Sequence, residues 1–392
     1  MEEDKQINLD NCLCIRILTH TDIYCLRTRT KIDQLAQKLI NDIHECDDRV
    51  FLLRDIITIL QCSISYRFEI RRIIDYSVRY FLNQLKDDIH CMICNSNEHF
   101  SENYTGLDCV QDTVEEVYNT ISLFPDVLLE QTELYWMDET DDDEEYQQGQ
   151  FYPISQLSFT IRNDWISGNN DKVAMYIPVL VKIALQFGLF HEETKGGLLI
   201  QDVASGENVL QNIMGSVISD GKEDMYLNVL MELRNNGVVN IDDVRMYGLL
   251  QKCLSPYALK YGEKRYLYLL EWDPNALSLH DHNGFIPLHY TARSKRRFEL
   301  TFNAGIKYLS KDLGIHLLFH KNILGETPYQ IACWMWGRDV IMKIVKNSLT
   351  FYADTPFNNV IALVTAAVDD RIHLDCVYFL LRREPDILQQ LV

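Results

Sequence analysis

The sequence predicts an all-α fold, a solenoid of helix-turn-helix units joined by short turns or hairpins, and three observations carry that reading. Apolar residues recur at three- and four-residue steps over long stretches, the period of helices with one buried face. A tight-turn signal runs directly into a helix start at Asp281-His282-Asn283-Gly284-Phe285-Ile286-Pro287-Leu288-His289-Tyr290-Thr291-Ala292. The motif Leu-Leu-x-x-x-Pro-[Asn/Asp]-x-Leu stands at residues 269–277 and again at 380–388, and Pro125-Asp126-Val127-Leu128 echoes it. The separations are close to whole multiples of about 37 residues, as stacked repeats require.

Asp281 to Gly284 has the Asp/Asn/Gly chemistry of a reverse turn, with Asn283-Gly284 able to take positive φ. Pro287 follows at a first helical position, where its fixed φ is already helical and its missing N–H is not needed. Small residues at Thr291 and Ala292 let a neighbouring helix approach. These residues resemble the Gly-x-Thr-Pro-Leu-His-x-Ala-Ala core of the ankyrin repeat, with Gly284, Pro287, Leu288, His289 and Ala292 matching. Ile286 stands where that family has Thr. The hydroxyl that caps the helix and bonds the His is therefore missing, and the resemblance implies a His289 that bridges repeats but is less tightly held. Asn322-Ile323-Leu324-Gly325-Glu326-Thr327-Pro328-Tyr329-Gln330-Ile331-Ala332 is a second copy that keeps the Thr-Pro pair. Together with Gly196-Gly197-Leu198-Leu199-Ile200 and the closing Leu-Leu-x-x-x-Pro motif, the run from about residue 150 to 392 is similar to the degenerate long-repeat ankyrin family expanded in diatoms. That resemblance implies the fold more than the function; a stack of such units leaves a broad concave groove, so the expected function is a protein-binding scaffold or adaptor without catalysis.

Three regions are expected. Residues 1–135 form an atypical helical portion, either degenerate repeats or a cap. Its apolar stripes are Leu35, Leu39 and Ile43, then Ile56, Ile57 and Leu60, then Ile70, Ile73, Ile74, Val78, Phe81 and Leu82. Within it residues 15–26 resemble the middle of an F-box, without the usual Leu-Pro opening, so the alternative function is a ubiquitin-ligase substrate adaptor that docks through the N-terminal helices. Residues 111–130 are also read as helical. Residues 136–150 hold the acidic run 138–145, whose like charges repel and read as an exposed linker or loop. It lacks the Gly and the spaced ligands of a calcium loop. Residues 151–392 form the repeat domain. A helix pair over 151–187 turns at 165–170, the next repeats open near Asp202, Ile241, Asp281 and Asn322, and a final pair runs from 358 to 391.

Composition narrows the function. Hydrophobic residues make up 47% of the 392, enough for a large core or two domains. A net charge of −20 argues against nucleic acid and anionic membranes, since phosphate binding needs a concentrated positive field. A neutral or basic protein partner fits better. The acidic start has no apolar h-region after it. The apolar passage 177–190 is broken by Pro178, Lys182 and Gln186. The expectation is a monomeric protein of the cytoplasm or nucleus, not secreted. Eight of the eleven cysteines precede residue 110, and in a reducing compartment they read as buried thiols. Cys91 and Cys94 have the spacing of half a zinc site, near His90, His99 and Cys109, but no second pair completes it. No metal and no cofactor are expected.

Catalytic motifs are near misses. The stretch from Gly215 to Glu223 resembles a phosphate-binding loop, but five residues separate its glycines and Glu223 replaces the magnesium-binding hydroxyl. His191-Glu192-Glu193-Thr194 lacks the second His of a zinc helix. No enzyme is expected. The candidate partner-binding residues lie instead on the repeats. Arg293 and Trp334 hold the equivalent position after the two small residues, which in the family faces the groove. Trp336 and Arg338 follow Trp334 across a one-residue insertion that leaves two orientations open for the tryptophans, groove or core. Tyr290 is a further candidate, and His282, Asn283 and Lys321 complete the surface at the turn tips.

Overall fold

The computed structural model describes residues 2–44, 53–62, 68–94, 106–137, 146–158, 161–162, 165–166, 173–203, 205–215, 223–254, 262–309, 311–352 and 359–390. Among them α and 3-10 helix make up 71% and strand 4%, so the all-α class holds. The chain divides into two compact units, Met1–Val209 and Leu210–Val392. That division falls inside the predicted 151–392 domain rather than at the acidic run. No described helix is long and apolar enough to cross a membrane.

The N-terminal unit begins with α1 (Glu2–Thr19), α2 (Leu26–His44), α3 (Leu53–Gln61) and α4 (Phe68–Cys94), and α4 packs along both α1 and α2. The predicted stripes are the buried faces. Ile32, Leu35, Leu39 and Ile43 of α2 meet a core that includes Ile74, Val78, Phe81 and Leu85 of α4, while Ile73 faces out. The helix α5 (Val114–Ile121) starts three residues later than expected, because Thr113 and Glu116 form a reciprocal capping box there. Lys86 of α4 ties down the segment that follows, with ion pairs of 2.6 Å to both Asp126 and Glu130.

Two hairpins depart from the sequence reading. Strands β1 (Thr132–Met137) and β2 (Tyr146–Phe151) pair antiparallel, Thr132 opposite Phe151, on either side of the acidic run. Residues 138–145 themselves lie outside the described residues. The first helix of the predicted 151–187 pair shrinks to α6 (Pro153–Gln156), followed by the short strands β3 (Ile161–Arg162) and β4 (Trp165–Ile166). The β-branched and aromatic residues around 132–137 and 161–166 favour the pleated backbone over a helix. Only the second helix forms as expected, α7 (Ile177–Gln186) with Pro178 in its first turn.

The C-terminal unit is a series of helix pairs. It contains α8 (Val209–Gly215), which begins at the division, then α9 (Glu223–Asn235), α10 (Ile241–Met246), α11 (Leu249–Lys252) and α12 (Glu263–Trp272). It continues with α13 (Pro287–Thr291), α14 (Lys295–Tyr308), α15 (Lys311–His316), α16 (Pro328–Trp336), α17 (Arg338–Phe351), α18 (Asn359–Val368) and α19 (Asp375–Arg383). Neighbouring pairs are joined through their cores. The Tyr266 and Thr301 hydroxyls bond at 2.7 Å between α12 and α14, and α14 packs on α17. α15 packs closely on α14 because Gly314 lies on the Gly305 backbone: a Cβ at 314 would sit 2.9 Å from the Gly305 carbonyl oxygen.

The Pro-[Asn/Asp]-x-Leu end of the motif, shared by all three stretches, proves to be one conformation used three times. Phe124, Asp273 and Glu384, each just before the proline, have φ/ψ of −137/73, −135/85 and −133/79. A 3-10 turn follows each of them. Proline bars its predecessor from the α region, which ends the helix, and its own φ starts the next turn. The turn buries Val127 and Leu128 in the first copy, Ala276 and Leu277 in the second, and Ile387 in the third. The motif occurs in both compact units.

Candidate functional site

The candidate residues lie in or beside two consecutive turn-to-helix junctions, 281–292 and 322–333. In the first, the Asp281 carboxylate accepts the backbone N–H of Asn283 at 2.8 Å and of Phe285 at 2.9 Å. In the second, the side-chain oxygen of Asn322 accepts from Leu324 at 2.9 Å and Glu326 at 3.0 Å. Both turns close with glycine at positive φ, +72° at Gly284 and +78° at Gly325. The turns are bonded to each other: the Ile323 N–H donates to the Asn283 carbonyl at 3.1 Å. A further connection runs onward, with the Lys321 N–H on the Arg371 carbonyl and the His373 N–H on the Phe319 carbonyl, each at 2.8 Å.

The two helix starts are capped differently. At α16 the Thr327 hydroxyl accepts from the Gln330 N–H at 3.2 Å, and the Gln330 side chain accepts from the Thr327 N–H at 3.1 Å. At α13 Ile286 has no hydroxyl, and His289 takes over half of this arrangement: its Nδ1 accepts the Ile286 N–H at 3.1 Å. Nδ1 is therefore the unprotonated nitrogen. Nε2 carries the proton and donates to the Glu326 carbonyl at 3.3 Å. His289 is buried and held at both nitrogens, so it is more firmly fixed than the missing Thr implied. Burial is the main cause that pushes its pKa down to about 4, against the opposing bond to Glu326.

His282 is exposed and Asn283 half-buried at the first turn tip, where the Asn283 amide lies 2.9 Å from the His282 ring. Tyr290 is half-buried, and its hydroxyl donates to Asp281. Burial is the first of several influences on Asp281 and raises its pKa, but the bonds from Tyr290, Phe285 and Asn283 outweigh it and hold the carboxyl below its usual range. Tyr290 therefore braces the turn. Arg293 is exposed, and Lys321 is half-buried at the second turn.

The tryptophans separate. Trp334 is 82% exposed, whereas Trp336 is 39% exposed and its indole N–H donates to the Ala292 carbonyl at 3.0 Å. Trp336 thus joins the end of α16 to the end of α13. Arg338 lines a groove against α19 together with Tyr329 and Cys333. Sequence reasoning missed Ile323 and Leu324, 68% and 72% exposed at the second turn tip. Their signal was present: two large apolar residues between Asn322 and Gly325, inside a turn that cannot bury them.

The half zinc site looks different in three dimensions. Cys91 is exposed and Cys94 buried on the last turn of α4, and burial pushes the Cys94 thiol up to about 12. Its Sγ lies 3.5 Å from His90 Nε2, which is also 3.0 Å from the Glu130 carbonyl oxygen. Among the described residues no group of three metal ligands forms. His99 and residues 216–222 of the phosphate-loop near miss lie outside those described. In the F-box-like stretch Ile17, Leu18 and Tyr24 are buried in the unit's own core.

No family model, curated protein or solved structure matches this chain.

Proposed function

We propose that this chain is a protein-binding scaffold, built as a degenerate ankyrin-like solenoid, that engages a partner without catalysis through the turn tips and the exposed end of α16. The observation that carries this reading is the bonded pair of turns. Because the Ile323 N–H is taken by Asn283, the turns are held side by side while the side chains of Ile323 and Leu324 remain exposed. Trp334 adds a large rigid side chain at the helix end. Exposed aromatic groups on a rigid frame are the usual anchors of protein interfaces, since they give large contact area at little entropic cost, and an apolar pair beside one extends the area a partner can cover. The His289 bond to Glu326 and the recurring 3-10 turns support the repeat reading. The acidic balance of the chain favours a neutral or basic partner.

The test is a quantitative pull-down with the full chain against Trp334→Ala and Leu324→Ser. Loss of the same partner in both variants is expected. An unchanged set of partners would remove this surface from the proposal. A chain starting near residue 50 tests the adaptor alternative, which requires ligase subunits to vanish only on that truncation.

A further inference from the structure

A groove of about 920 Å³ runs between α17 and α19 in the C-terminal unit, away from the turn tips. Its floor is aromatic, formed by Phe319, Tyr329 and Phe379. One wall is a continuous stripe of α17: Met342, Val345 and Leu349, between Arg338 at one end and Thr350 at the other. Those positions recur at three- and four-residue steps, and at 1.5 Å per residue the stripe is about 18 Å long. The opposite wall comes from α19, where Tyr378 is 64% exposed. The last helix pair leaves this space because it is anchored elsewhere. His316 of α15 bonds the Ala362 carbonyl of α18 at 3.0 Å, and the backbone at 371–373 is bonded to 319–321.

The charge around the groove is opposite to that of the chain. Arg338, Lys346, Arg382 and Arg383 line it against Asp375 and Glu384, in a protein of net charge −20. Asp375 is already engaged, its carboxylate accepting from the Gln330 amide at 3.4 Å. The cations are not gathered at one end, as a single-headed amphiphile such as a fatty-acid anion would need. Arg338 and Lys346 lie eight residues apart on one wall, about 12 Å, and Arg382 stands on the other.

From this we infer that the groove receives an amphipathic helix of a partner protein, its apolar face on Met342, Leu349 and Phe379 and its acidic flanks against Lys346 and Arg382. This is helix-in-groove recognition, in which anchors at i, i+3, i+4 and i+7 supply affinity and the flanking charge selects the partner. The site shares α16 with the surface around Trp334, but Trp334 itself does not line it.

The test uses two synthetic peptides with the 14-residue length of α17. Both carry Leu and Phe at i, i+3, i+4, i+7 and i+11, one with Glu at the flanking positions and the other with Lys. Fluorescence anisotropy with the full chain should show the acidic peptide binding about tenfold or more tightly than the basic one. The double reversal Lys346→Glu with Arg382→Glu, on exposed positions, should invert that preference, and Met342→Asp should abolish binding of the acidic peptide. Circular dichroism confirms that each variant is folded, and Trp334→Ala should bind like the parent. Failure of the acidic peptide to bind, equal binding of both peptides, or a preference unmoved by the reversal would overturn the inference. Binding of oleate in place of either peptide, lost on the same reversal, would also overturn it and assign the groove to a small amphiphilic anion.

Discussion

The 281–292 and 322–333 junctions perform the same task with different residues, and the difference shows what the backbone demands. Each needs an acceptor for the N–H groups of a turn and a partner for the first N–H groups of a helix. Asp281 and Asn322 meet the first need in the same way. For the second, α16 uses a local Thr327–Gln330 box, whereas α13 uses His289, which also reaches the Glu326 carbonyl of the neighbouring junction. In the first solution both capping bonds stay within one helix start, and the Gln330 amide left over reaches Asp375 of α19 at 3.4 Å. In the second the capping side chain itself bonds the neighbouring junction, and that side chain is titratable whereas Gln330 is not.

The comparison predicts unequal costs. His289→Ala leaves the Ile286 N–H and the Glu326 carbonyl without these partners and opens a cavity, so it should destabilise the C-terminal unit by about 3–4 kcal/mol. Thr327→Ala removes a cap and should cost about 1 kcal/mol in the same urea titration. Equal losses would mean that the bond to Glu326 contributes nothing.

The second prediction concerns pH. Burial depresses the His289 pKa from 6.5 to about 4, so between those values the unfolded chain binds a proton that the folded chain refuses. The stability involved is complete above about pH 6.5 and is lost as pH falls toward 4, by about 3 kcal/mol in all. His320 is shifted down mainly by burial and then by Arg371, so it adds to the same slope. Replacing the imidazole with the residue used at the other junction, His289→Gln, should flatten the curve measured by thermal melts between pH 4 and 7. A slope that survives would assign it to other groups.

Glycine provides the third contrast. Gly284 and Gly325 both have positive φ, but a Cβ at 284 would lie 3.2 Å from the Asn322 Cα, whereas nothing lies within 4 Å at 325. Gly284→Ala should therefore cost about 2–3 kcal/mol and Gly325→Ala about 1 kcal/mol, read as shifts in denaturation midpoint. The smallest effects belong to the tryptophans. Trp336→Phe loses the bond to the Ala292 carbonyl, about 1 kcal/mol, while Trp334→Ala should stay within about 0.5 kcal/mol. A large loss at Trp334 would mark it as structural and weaken the case for it as an anchor.

Much of this was legible in the chain. The Asp281-Asn283-Gly284-Pro287 series marks its turn and helix start, and the Pro motif at 125, 274 and 385 marks three equal bends. Local steric rules govern all of them, through positive φ at glycine and the restriction before proline. Hairpin β1–β2 was obscured because the acidic run between its strands dominates the composition there. The double bonding of His289 was also hidden, since one of its partners is 37 residues away. The groove was beyond local pattern, because the stripes of α17 and α19 read as ordinary buried faces until their packing partners are known.

The sequence by itself determined the helical class, the turn chemistry and the places where helices stop, because each depends on residues within a few positions of one another. Tertiary structure alone decided which of two tryptophans two positions apart is the more exposed, that His289 rather than a hydroxyl secures α13, and that α17 and α19 enclose an apolar space with a cationic rim. Those outcomes depend on contacts between residues tens of positions apart, and no local periodicity encodes them.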